Sequence, residues 1–134
     1  YSMFIAQPEE VWKWYFYRLG VCRQAEPNAG HFAIQQLEQL LQDRFTLITQ
    51  NIDGLHLSAN QSIERTFQIH GNLNYLRCVH DREKRLFPIP ENLPPLAKGE
   101  ELTSSHRDVI YCPKCTHISY KDKVEKLYLK SWNI

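Results

Sequence analysis

The chain has 134 residues, 43% hydrophobic and 23% charged, with a formal net charge of +1. This composition belongs to a soluble folded domain and excludes a disordered segment. The near-neutral balance supplies no global field for nucleic acid or an anionic membrane. No apolar run approaches the roughly 18–20 residues that cross a bilayer. The opening YSMFIAQPEE has no basic segment leading into a long apolar core, so no secretory signal is expected. Two of the four cysteines form Cys112-Pro-Lys-Cys115, a pair that in a chain without export signals more often binds metal than closes a disulfide. A cytoplasmic location is expected.

The first helix is predicted to start at Pro8, with Glu9 and Glu10 suiting its positive end, and to stop near Gly20. Val11, Trp14, Tyr15 and Arg18 follow at helical spacing. A second helix is capped by Asn28, and Phe32, Ala33, Leu37, Leu40 and Leu41 form its apolar stripe. FTLITQ then has the composition of a buried strand, so helix and strand make half of an α/β layer.

RTFQI, residues 65–69, is the second predicted strand and runs into His70-Gly71. The intervening LHLSANQSIE is too short and polar to assign. If the two strands are parallel, their C-terminal ends carry Asn51, Asp53 and His70 to one edge of the sheet, where open α/β sheets bind ligands. NLNYLRC is a further strand candidate. FPIPENLPPLAKGEEL, with four of the seven prolines, is a loop, and a short helix is possible near residues 100–107. YCPKC is a turn. The C-terminal segment is expected to form a short helix presenting Val124, Leu127 and Tyr128 or Leu129.

Three groups of residues can carry chemistry. In TQNIDGLH, Asn51 offers donors and an acceptor, Asp53 acceptors, and Gly54 freedom for positive φ. Such a loop can hold a carboxamide and a ribose, and an ordinary Asn-x-Asp-Gly turn has the same composition. His70 suits a general base near neutral pH, or a hydrogen-bonded structural role. Cys78, Cys112 and Cys115 supply three thiolates for zinc, with the fourth ligand open among His80, Asp81 and His117; three reduced, unliganded thiols are the other reading. Cys22 reads as a buried thiol.

PNAGH at 27–31, TQNIDGLH at 49–56, IHGNL at 69–73 and RC…YCPKC occur in an order that resembles the sirtuin family of NAD-dependent protein deacylases. The resemblance runs from about Phe4 to Ser119. It implies an α/β fold: part of a Rossmann-like parallel sheet with flanking helices, over residues 1–71, plus a small zinc-ribbon-like module over 72–119 and a divergent tail over 120–134. It implies NAD and zinc as cofactors and an acyl-lysine protein or peptide as substrate. Asn51, Ile52 and Asp53 would line the nicotinamide pocket, Gln50 would face the ribose, and His70 would be the base that activates a ribose hydroxyl. Zinc would be structural.

The family's glycine-rich phosphate loop does not appear: none of the five glycines forms a Gly-x-Gly cluster. After Ser119 the family's expected strand ending in Phe-Gly-Glu is replaced by YKDKVEKLYLKSWNI. Truncation at both ends is therefore expected, with an exposed sheet edge open to self-association. An inactive sirtuin-derived binding module is the alternative to a deacylase. A zinc-ribbon nucleic-acid binder is disfavoured by the balanced charge.

Overall fold

The computed structural model describes residues 2–78, 86–110 and the backbone of 127–128. In chain order the elements are α1 (Ser2–Ala6), α2 (Pro8–Gln24), α3 (Ala29–Leu41), β1 (Leu47–Thr49), α4 (Leu55–Ser58), β2 (Thr66–Gln68), β3 (Tyr75–Cys78), β4 (Leu86–Pro88), α5 (Ser104–Val109) and β5 (Leu127–Tyr128). Among the described residues, β1 and β2 form a two-stranded parallel sheet, and β3 takes β4 and β5 antiparallel on its two sides. No helix of the described residues is long and apolar enough to cross a membrane.

Pro8 opens α2 as expected, but the helix runs through Gly20 to Gln24. Gly20 serves packing: a Cβ there would lie 3.2 Å from Pro95 Cβ, so its absence lets the 95–96 segment lie against the helix. The buried face of α2 is Trp12, Phe16 and Leu19, whereas Trp14 on the other side is 53% exposed. Phe4, Leu73, Leu76, Cys78, Ile89, Leu96, Leu102 and Ile110 complete the core. The proline-rich segment is therefore a loop whose apolar residues close this core.

α5 adds a cap to the same core. The Thr103 N–H donates to His106 Nδ1 (3.3 Å), which leaves the His106 Nε2–H to donate to the Pro94 carbonyl (3.0 Å). The buried His106 ring also lies 4.9 Å from the Phe16 ring. The expected C-terminal helix is not what forms at Leu127–Tyr128: these residues are a strand, in register with Cys78 and Arg77. The free edge of β3 supplies backbone partners that an isolated short helix lacks.

The apolar stripe of α3 is largely exposed. Phe32, Leu37, Leu40 and Leu41 are 46%, 48%, 76% and 36% exposed, and the buried residue of the helix is Glu38. The Glu38 carboxylate accepts from Gln61 Nε2 (2.6 Å) and from the Ser62 N–H (3.0 Å), with Arg65 Nη1 at 3.5 Å. These bonds hold the polar side of α3 against the 61–65 turn and leave its apolar side outward. β1 departs from the expected buried strand in the same way. Ile48 and its register partner Phe67 share one face and are 66% and 46% exposed.

The two tryptophans of α2 test this packing. Trp12→Ala is expected to lower unfolding free energy by about 3–5 kcal/mol, the cost of emptying a large buried site. Trp14→Ala is expected to cost less than about 1 kcal/mol. Urea denaturation of the two variants, followed by circular dichroism, measures both.

Candidate functional site

The parallel pairing of β1 with β2 sets Thr49 beside Gln68, and the Ile69 N–H donates to the Thr49 carbonyl (3.1 Å). Both strands therefore end at the same edge. Gln50, Asn51, Ile52 and Asp53 leave that edge from β1, and His70 leaves it from β2 in the turn before Gly71. Gly71 has φ +99°, a conformation that favours glycine and ends the strand sharply behind His70.

Hydrogen bonds hold the TQNIDGLH loop at several of its residues. The Asn51 N–H donates to Thr49 Oγ1 (3.1 Å). The Ile52 carbonyl accepts from the Leu73 N–H (2.9 Å), and its half-buried side chain packs against the hydrophobic core. Asp53 Oδ1 accepts from the Leu55 N–H (2.9 Å), which opens α4 in the manner of an Asx turn. Gly54 has φ +79°, and a Cβ there would meet the amides of Asn72 and Asn74 at 3.4 Å. Asn51, Gln50 and His70 remain exposed. The loop thus presents its polar groups from a braced backbone.

Sequence reasoning did not find the network behind Gly54. Asn72 Nδ2 donates to Gln68 Oε1 (2.9 Å), and Asn72 Oδ1 accepts from Asn74 N (2.9 Å) and Nδ2 (3.1 Å). Arg23 Nε donates to Asn74 Oδ1 (3.3 Å), and its other nitrogens reach the carbonyls of Ile89 (2.9 Å) and Pro90 (2.8 Å). The residues are spread over three segments, so spacing carries no sign of it. Asp53 and Gly54 border an open cleft of about 590 Å³ with Cys22, Arg23, Asn72, Asn74 and Tyr75. A larger cleft of about 770 Å³ lies along α1 and α2 and contains none of the loop residues. Burial raises the Cys22 thiol above its ordinary range, with Arg18 opposing, so this thiol stays protonated at neutral pH.

Two histidines brace the other side of the loop. His31, at the third position of α3, accepts from the Asn28 N–H through Nδ1 (3.2 Å), while Asn28 Oδ1 accepts from Gly30 N (2.9 Å) and His31 N (3.3 Å). The His31 ring lies 4.7 Å from the ring of His56 in α4. Burial lowers the His56 pKa, His31 lowers it further, and Asp53 opposes both. The neutral imidazole is therefore favoured at this junction.

Cys78 is buried at the end of β3, 2% exposed. Cys112, Cys115, His80, Asp81 and His117, the other expected zinc ligands, lie outside the described residues. Among the described residues no group of three ligating side chains could hold a metal.

The model of the Sir2 family matches residues 1–124. The chain belongs to the Sir2 family. The NAD-dependent protein deacylase of Thermus thermophilus is 36% identical over 120 residues, covering 87% of this chain and 41% of the relative. That of Leptospira interrogans is 41% identical over 93 residues, covering 69% and 37%. The crystal structure of a Sir2 homologue–NAD complex aligns with a TM-score of 0.64 at 33% identity, covering 85% of this chain and 38% of that one. Sir2Tm bound to a propionylated peptide aligns with a TM-score of 0.53 at 25% identity, covering 80% and 50%. The parallel sheet and these neighbours make the fold α/β and Rossmann-like. The chain spans about two-fifths of the length of the curated relatives it matches.

The histidine pair gives a direct test of the loop's electrostatics. His31→Gln removes a neighbouring imidazole and is expected to raise the titration midpoint of His56; Asp53→Asn is expected to lower it. Proton–carbon NMR of the imidazole resonances between about pH 4 and 8 follows both.

Proposed function

We propose that this Sir2-family chain carries the base and the nicotinamide-ribose loop of an NAD-dependent protein-lysine deacylase. The observation that supports the reading is the shared edge of β1 and β2, which collects Gln50, Asn51, Asp53 and His70 in a chain whose relatives are named NAD-dependent protein deacylases. The substrate class is an acyl-lysine protein or peptide, in keeping with the propionylated peptide of Sir2Tm.

The residue types suit the nicotinamide-ribose end of NAD. Asn51 can donate to and accept from a carboxamide, and Asp53 can stabilise developing positive charge nearby. Gln50 and Ile52 would complete the cofactor-binding set. NAD, when bound, supplies the ADP-ribose that accepts the acyl group as nicotinamide leaves. His70 would take the proton of the attacking ribose hydroxyl. None of the five glycines forms a Gly-x-Gly cradle of the kind that binds a pyrophosphate. Zinc, if held, would use Cys78, Cys112 and Cys115 with His80, Asp81 or His117, and its chemistry would be structural.

A second reading takes the chain as a catalytically inactive, sirtuin-derived binding module.

Nicotinamide release from NAD in the presence of an acetyl-lysine peptide separates the two. The deacylase reading predicts peptide-dependent release that falls by about 100-fold or more in His70→Ala, the usual weight of a general base. No release from the folded wild-type chain would overturn the deacylase reading for this chain. Equal rates in the two proteins would remove His70 from the chemistry.

A further inference from the structure

Arg23, in the last turn of α2, directs its guanidinium three ways. Nη2 donates to the Ile89 carbonyl (2.9 Å), Nη1 to the Pro90 carbonyl (2.8 Å) and Nε to Asn74 Oδ1 (3.3 Å). The first two bonds fasten the 89–90 segment to the helix. The third starts a chain of amides that leaves the core and ends at the candidate site.

The direction of that chain is set at every link. A guanidinium only donates, so Asn74 turns Oδ1 toward Arg23 and keeps Nδ2 for Asn72 Oδ1 (3.1 Å). Asn72 Oδ1 also accepts from the Asn74 N–H (2.9 Å), which leaves Asn72 Nδ2 to donate to Gln68 Oε1 (2.9 Å). The chain thus reaches both arms of the site. Gln68 ends β2, and its carbonyl accepts from the Gly71 N–H (3.0 Å) across the turn that holds His70. On the other arm, the Nδ2 atoms of Asn72 and Asn74 lie 3.4 Å from where a Gly54 Cβ would stand, next to Asp53.

We propose that Arg23 is a positioning residue: through Asn74 and Asn72 it fixes the offset between the Asp53 loop and the His70 turn. The proposal rests on the reading of Asp53 and His70 as residues of the reacting site. A base and a carboxylate that arrive on two different strands need a fixed separation, and a misplacement of about 1 Å can cost about 100-fold in rate. The β1–β2 register extends only to Thr49 and Gln68. Past it, the Ile52–Leu73 backbone bond and the amide chain run between the two arms. Arginine suits the anchor because its planar fork serves three acceptors at once, which a lysine ammonium on a flexible stem does not.

A merely structural Arg23 would only hold the 89–90 segment against α2. Asn74→Ala separates the two roles, because it cuts the amide chain and leaves the bonds to Ile89 and Pro90 in place. Amide hydrogen exchange of the full chain, read by NMR, is the test. The reporters are the Leu55 N–H, bonded to Asp53 Oδ1 (2.9 Å), and the Gly71 N–H, bonded to the Gln68 carbonyl. Both are expected to exchange at least about tenfold faster in Asn74→Ala, while the amides of α2 keep their wild-type rates. Arg23→Lys is expected to accelerate the same two amides, and it carries the test should Asn74→Ala fail to fold by circular dichroism. Unchanged rates at Leu55 and Gly71 in either folded variant overturn the proposal. Acceleration spread evenly over α2 and the site also overturns it, because the loss is then one of global stability. The rates are read without NAD or peptide, so they bear on this proposal alone, whereas nicotinamide release bears on the catalytic reading alone.

Discussion

Burying a carboxylate is costly, and Glu38 offsets that cost with two hydrogen bonds on Oε2 and an ion pair from Arg65 on Oε1. Gln61, the Ser62 N–H and Arg65 gather on one carboxylate at the underside of α3. Arg65 in turn reaches Asp43 in the 3-10 turn Gln42–Arg44 that follows α3 (2.9 Å), so the turn before β2 is tied both to α3 and to the segment just after it. This polar clasp seats the turn that leads into β2. The parallel register with β1 and the meeting of the two strand ends both follow from where that turn sits. An apolar contact between α3 and the turn would impose no comparable direction, because hydrophobic burial is not directional.

The loop at the strand ends draws support from both sides of the molecule. Ile52 packs on the large core built by α2 and the 73–110 segment, and its carbonyl is held by Leu73. His56 meets His31 at the start of α3. Asn72 and Asn74 fill the space beside Gly54 and connect through Arg23 to the backbone at 89–90. The polar groups of Gln50, Asn51 and His70 are left exposed on a backbone that is otherwise committed. Such preorganisation is what a binding or catalytic loop requires.

Much of this was legible from local chemistry. Pro8 and Asn28 marked helix starts because proline fixes φ and a carboxamide satisfies free N–H groups, and both act within a few residues. The apolar runs FTLITQ and RTFQI marked the strands, which form as Leu47–Thr49 and Thr66–Gln68, and their parallel pairing brings Asn51, Asp53 and His70 to one edge. The misreadings involve partners distant in sequence. Gly20 looked like a helix end, but its neighbour is Pro95. Leu127 and Tyr128 looked helical, but the edge of β3 claims their backbone. The spacing of the α3 stripe said nothing of Glu38, the residue of the helix that is buried, against Gln61, Ser62 and Arg65. His106 gave one local signal, the Thr-x-x-His spacing that matches Asn28-x-x-His31, which identifies a histidine capping box.

The Glu38 clasp is best tested by the pH dependence of stability in wild type and Glu38→Gln. Ser62 is the largest cause of a Glu38 pKa lowered from the ordinary 4.5, with Arg65 adding to it. A lowered folded-state pKa contributes stability above the unfolded value and loses it as pH falls through the folded value. Urea unfolding between about pH 7 and pH 3 should therefore show wild type losing stability more steeply than Glu38→Gln below pH 4.5, so that the two curves converge in acid. Curves that stay parallel across the range would contradict the account, because Glu38 would then be no more favoured as an anion in the folded chain than in the unfolded one.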